Sequence, residues 1–254
     1  MSFFPKIKKI PFLYNFKIKL RNFKYFLKDI VHLIINGTNL KIIIMFIISF
    51  FNSKKFSFNR QEFFLGKSFS HGDWFSHKVP IFKKYFDNLN KDKIKEILEI
   101  GSWEGRSSCF FLKYFDKSIL TCVDTWGGSE ENFVEENPNL EIVEKNFDNN
   151  ISEYKNRIIK KKMTSNIFFK DNKKKFDFIY IDGSHDYEDV LNDAKLGYES
   201  LNYNAYMLFD DYDWKFYKGK KNPINAINLF LKNNKLKTKI VYVSSQVLIK
   251  KIIS

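Results

Sequence analysis

The ten residues Glu99-Ile100-Gly101-Ser102-Trp103-Glu104-Gly105-Arg106-Ser107-Ser108 join a short apolar run, Ile94–Ile100, to a stretch of helical spacing, Gly105–Phe115. Strand, glycine loop and helix in that order open a βαβ unit, and such units build parallel sheets. The next apolar run, Ile119–Val123, ends at Asp124, 23 positions after Gly101. Further strands are expected at Arg157–Lys162, Phe176–Ile181, Ala205–Phe209, Lys239–Val243 and Val247–Ile252. Helices are expected at Leu140–Ser152, Tyr187–Leu201 and Pro223–Asn233. The alternation predicts a doubly wound α/β fold: a mostly parallel seven-stranded sheet, helices on both faces, the last strand antiparallel.

The glycine loop predicts a ligand. Backbone N–H groups at a helix start favour an anionic group, and a carboxylate such as Asp124 at the next strand end can accept both hydroxyls of a ribose. Trp103 stands where the dinucleotide fingerprint has its second glycine, and its bulk blocks the backbone approach a pyrophosphate needs. That argues against a nicotinamide oxidoreductase and leaves room for a ligand without phosphates. A ligand-free turn is the plain alternative.

A second group of residues falls at the same expected edge. Phe176–Ile181 delivers Asp182-Gly183-Ser184-His185, and Ala205–Phe209 delivers Asp210-Asp211. Ligands of open parallel sheets bind at the carboxyl ends of the strands. Three carboxylates brought together there repel unless a cation joins them, and hard oxygen ligands suit Mg²⁺ or a similar ion. His185 would stand beside it with a side chain that titrates near neutrality. Taken singly, these residues read as helix caps or turns.

Composition bounds the class. The chain has 254 residues, 44% hydrophobic, which suffices for one sizeable core and excludes global disorder. Two cysteines, Cys109 and Cys122, form no disulfide framework and read as buried thiols of a reduced, cytoplasmic protein. The net charge is +14, and residues 1–60 carry 12 basic side chains against one acidic. The excess therefore lies away from the expected site, which argues against a nucleic-acid enzyme. In that segment Phe23, Phe26, Leu27, Ile30, Val31 and Ile34 follow helical spacing, Asn36–Asn39 reads as a turn, and an apolar run follows from Leu40 to Phe51. The run is too short to span a bilayer. Residues 1–60 are expected to be a basic, apolar helical extension, and peripheral contact with a membrane is one reading of it. Packing on the domain or pairing in a homo-oligomer is the alternative.

"EIGSWEGRSS", "CVDTW", "FDFIYIDGSHDYEDVLND" and "LFDDY" together resemble the motifs of class I S-adenosylmethionine-dependent methyltransferases of the metal-dependent O-methyltransferase kind. "GDWFSHKVP" is similar to a stretch in bacterial members, and the likeness spans roughly residues 70–252 within a domain expected over 61–254. The resemblance implies that Glu99, Gly101 and Trp103 line the methionine and ribose side of S-adenosylmethionine. It places Ser107 at the cofactor carboxylate, Asp124 on the ribose and Ser165 near the adenine. It makes Asp182, Asp210 and Asp211 ligands of a divalent metal such as Mg²⁺, and His185 the base. It implies methylation of a hydroxyl on a small-molecule, sugar or glycolipid acceptor, and no nucleic-acid partner. A relative of this fold with other chemistry, or a membrane-associated module working through residues 1–60, are the rivals. One departure is Leu201-Asn202-Tyr203-Asn204-Ala205, where the family has a Pro-Gly-Gly-like turn; asparagine tolerates positive φ there. Trp126, Tyr212 and Trp214 flank the expected site as candidate stacking surfaces.

Overall fold

A computed structural model describes residues 11–53, 60–135, 137–219 and 221–253. Residues 1–10 and 54–59, which belong to the expected extension, lie outside the described residues.

Seven strands form one sheet: β1 Glu96–Ile100, β2 Ile119–Asp124, β3 Ile158–Lys162, β4 Phe176–Ile181, β5 Leu201–Phe209, β6 Thr238–Val243 and β7 Val247–Lys251. Their order is β3-β2-β1-β4-β5-β7-β6, with β7 antiparallel to both neighbours. β1 pairs in parallel with β2 on one side and β4 on the other, so the winding reverses between β1 and β4. Ile100 pairs with Val123 and with Ile181, and Ile181 pairs with Phe209. The residues that follow, Gly101, Asp124, Asp182 and Asp210, consequently leave the sheet side by side. This register turns motifs scattered over more than a hundred residues into one row.

Side chains alternate across the strands. Leu98, Ile100, Ile179, Ile181, Met207 and Phe209 face one layer, formed by α1 Pro11–Ile35, α2 Leu40–Ser53, α7 Ser165–Asp171, α8 Tyr187–Ser200 and α9 Pro223–Asn233. Ile97, Cys122, Phe178, Tyr180 and Leu208 face the other, formed by α3 Val79–Phe86, α4 Arg106–Tyr114 and α6 Leu140–Ile151. α5 Glu130–Glu135 lies in the β2–α6 connection. The second layer is aromatic: Phe82, Phe86, Phe110, Phe111, Phe115 and Phe178 are all fully buried. Each such ring contributes about 1.5–3 kcal/mol of transfer free energy.

The expected amphipathic stripe of α1 divides in two. Phe26 is buried against Phe46, Phe50 and Phe51 of α2 and Ile30 packs into the same core, whereas Phe23, Leu27, Val31 and Ile34 are exposed. The spacing was helical, but it encompassed two faces. The extension is tied down where α1 turns into α2. Asn225 donates to Asn36 (2.8 Å), Asn228 donates to Thr38 (2.9 Å), and Lys215 pairs with Asp29 (3.1 Å). The turn expected before Ala205 is instead the first part of β5, because Leu201 pairs with Phe176. Asn204 takes φ +63° there, beside an irregularity in the β4–β5 ladder. Among the described residues no helix is long and apolar enough to cross a membrane.

Candidate active site

β1 ends into a loop that passes extremely close to the end of β4. Gly101 has φ +85°, and a Cβ added there would lie 1.9 Å from the carbonyl oxygen of Asp182. Glycine at this position is thus a steric requirement as well as a conformational one. Asp124 holds the next residues of the loop. One carboxylate oxygen accepts the amides of Ser102 (2.7 Å) and Trp103 (2.9 Å), and the other accepts that of Trp126 (2.7 Å). Trp103 adopts φ +47°. Ser107 stands in the first turn of α4, inside the mouth of the loop.

The segment before β1 folds back over this loop. Ser70 donates its amide to Glu104 (2.9 Å), and His71 pairs with the same carboxylate (3.2 Å). Trp74 packs against Trp103. A short 3₁₀ turn, Ser76–Lys78, then carries Lys78 inward. The result is a cavity of about 570 Å³, within the usual range for small-molecule sites. Of the residues singled out from the sequence, Gly101, Trp103, Ser107, Asp124, Ser165, Asp182, His185 and Asp211 line it.

Glu99 and Asp210 do not line the cavity. Glu99 points into the layer under the loop, where it is fully buried and accepts the hydroxyls of Ser102 and Ser108. Burial pushes its pKa up, against the pull of the serine hydroxyls around it. Its location is that of a post beneath the loop, one layer removed from a ligand. Asp210 is also buried, and both its oxygens are engaged. Oδ1 accepts from Lys78 Nζ (2.6 Å), Gln246 Nε2 (3.0 Å) and the Asp211 amide (2.8 Å), and Oδ2 accepts from the Tyr180 hydroxyl.

The cluster that does face the cavity is Asp182, His185 and Asp211, each offering a ligand atom within 4.8 Å of the others. His185 Nε2 lies 3.1 Å from Asp211 and 3.9 Å from Asp182. Its ring stacks on Trp214, with centroids 4.7 Å apart. Asp211 has φ +48°, a strained value that turns its carboxylate toward His185 and Lys78. Burial and the neighbouring Asp210 carboxylate raise the pKa of Asp182 well above the usual range. Burial acts on Asp211 the same way, but Lys78 and His185 together hold it low. Burial works against the Lys78 charge, yet Asp210 and Asp211 hold the ammonium firmly protonated.

Lys78 is the functional side chain that sequence reasoning missed. It lies in "GDWFSHKVP", directly after the polar Ser76-His77, where nothing set this lysine apart from the many others. The three candidate stacking rings separate. Trp214 lines the cavity, Trp126 is buried against Phe147, and Tyr212 is buried with its hydroxyl on Asn228 (2.7 Å).

Comparison with known proteins supports the same reading. A family described as a methyltransferase domain matches residues 98–212, a little under half of the chain. A 52-residue stretch is 38% identical to uncharacterized protein R132 of Acanthamoeba polyphaga mimivirus, covering 20% of this chain and 23% of that one. The crystal structure of a putative O-methyltransferase from Klebsiella pneumoniae is similar with a TM-score of 0.53 at 9% identity, over 81% of this chain and 96% of that chain. MycE methyltransferase of the mycinamycin biosynthetic pathway, in complex with Mg, SAH and mycinamycin VI, is similar with a TM-score of 0.50 at 12% identity. That match covers 71% of this chain and 51% of MycE. At such identities the likeness is one of fold. The domain match falls on the strands and loops that build the cavity, and the sheet order agrees with it: residues 98–212 match a methyltransferase domain, carried on a Rossmann-like methyltransferase fold.

Proposed function

We propose that this chain transfers the methyl group of S-adenosylmethionine to a hydroxyl oxygen of a small-molecule, sugar or glycolipid acceptor. The observation that carries the proposal is the single cavity, which joins the Gly101–Asp124 half-site to the Asp182–His185–Asp211 cluster. A cofactor on the first half would present its methyl group toward the second. Asp124 keeps lone pairs for ribose hydroxyls beyond the loop amides it accepts, and Ser107 and the α4 start suit the cofactor carboxylate.

Asp182 and Asp211 fit a divalent cation such as Mg²⁺: the two carboxylates face one cavity wall within 4.8 Å of each other, and burial together with the neighbouring carboxylate of Asp210 raises the pKa of Asp182. When bound, the cation would supply Lewis-acid lowering of the acceptor hydroxyl's pKa. Asp210, engaged by Lys78, stands behind this set as support. His185 removes the hydroxyl proton as the oxygen attacks the methyl carbon. Asp211 orients the imidazole and favours its protonated form. Trp214 fixes the ring plane and offers a surface for the acceptor. Lys78 locks Asp210 and Asp211 in place.

Titration calorimetry should show binding of S-adenosylmethionine, weakened by Asp124→Ala. Tight binding of NAD with no response to S-adenosylmethionine would overturn the proposal. With an acceptor found by radiolabelled methyl transfer, His185→Ala should chiefly lower kcat, by about 10²–10⁴-fold, and leave cofactor affinity unchanged. Full turnover in excess chelator would remove the cation from the scheme.

A further inference from the structure

The α1–α2 hairpin has two apolar faces, and the domain covers only one. Phe26, Leu33, Ile42 and Phe46 are buried in the sheet layer. On the opposite side Leu27, Val31 and Ile34 of α1 and Leu40, Ile44 and Ile48 of α2 are 47–70% exposed. They recur at i, i+4 and i+7 or i+8, so each helix carries one continuous outward stripe. Exposed lysines at positions 24, 28 and 41 accompany the stripes. The acidic residue of the segment, Asp29, is paired with Lys215 of the domain.

We propose that this outward face docks on the surface of an anionic lipid bilayer. Isolated exposed apolar residues are ordinary, but two adjacent stripes of large aliphatic side chains mark an interaction surface. Charge selects the occupant. A second copy would bring its own exposed Lys24, Lys28 and Lys41 to the contact, and like charges oppose pairing. An anionic bilayer brings the opposite sign to the lysines and an apolar interior to the stripes. The 14-residue α2 is about 21 Å long, too short to span but long enough to lie in the interface. The hairpin turn is bonded to Tyr212 and Asn228, so the docked face is fixed rigidly to the loop that follows Asp211. This inference stands independently of the reaction.

The test is flotation of the full chain with phosphatidylglycerol–phosphatidylcholine vesicles and with phosphatidylcholine vesicles alone. Binding to the anionic vesicles alone, released by high salt, is expected. Val31→Glu with Ile44→Glu should lower the bound fraction at least ~10-fold. Lys24→Glu, Lys28→Glu and Lys41→Glu together should weaken binding by about 100-fold. Because all five side chains are exposed, thermal unfolding should be unchanged in both variants. Absence of flotation with anionic vesicles would overturn the proposal. So would a dimer in sedimentation that Val31→Glu with Ile44→Glu dissolves, since that face would then be covered by a second copy.

Discussion

Replacing Lys78 with methionine tests whether the acidic end of the cavity depends on an internal cation. The Lys78 side chain is 5% exposed and that of Asp210 is 0% exposed, so solvent cannot take over the lost charge. Removing one partner of a buried pair costs about 3–5 kcal/mol. The expected loss corresponds to a fall in Tm of about 6–20 °C for a chain of this size. Urea unfolding followed by tryptophan fluorescence reads the loss. Adding Asp210→Asn to Lys78→Met removes the stranded charge and should restore at least about 2 kcal/mol, which a double-mutant cycle isolates. A loss below about 1 kcal/mol for Lys78→Met, or a double variant no more stable than the single one, would refute the buried-pair argument.

Gly101→Ala forces a Cβ to within 1.9 Å of the Asp182 carbonyl at φ +85°, and should cost about 2–6 kcal/mol and abolish S-adenosylmethionine binding in calorimetry. Burial raises the pKa of Asp193 to about 7 despite its bond to Ser165, so the folded state keeps a proton that the unfolded chain loses near pH 4. That difference withdraws stability as pH rises from about 4 to 7; Asp193→Asn should therefore gain stability over wild type through this window and hold a constant advantage above it. Denaturation midpoints at pH 5 and pH 8 decide the point. Cys109 and Cys122 are buried, and burial pushes the Cys109 thiol up to about 12. Neither should react with a disulfide reagent in the native protein, and both should react in urea.

The α/β architecture was legible from local pattern because strands buried on both faces read as short apolar runs, and the glycine loop ending β1 has few other uses. Gly101, Asp124 and Asp182 could be singled out because each stands at the end of a strand, where chain order alone brings a side chain to the sheet edge, and His185 because it lies three residues beyond Asp182. Asn204 also took the positive φ that its residue type favours. Helices α3, α5 and α7 were not foreseen, since pieces of six to eight residues are too short for periodicity to register. Nor could spacing show which of two adjacent carboxylates faces the ligand. Asp210 and Asp211 are indistinguishable in sequence, and the strained backbone of Asp211 turns one into the cavity while Lys78 and Tyr180 hold the other behind it. Glu99 likewise looked like a ligand-facing residue, but the pleat of β1 puts it in the layer below. The stripe on α1 shows the same limit, because helical spacing reveals that a face is apolar without revealing what covers it. Sequence determined the strands, the longer helices of the sheet domain and the residues at the strand ends. Which face each side chain serves, and that a lysine from outside the sheet closes the acidic cluster, depended on register and packing between segments more than a hundred residues apart, and only the tertiary structure sets those.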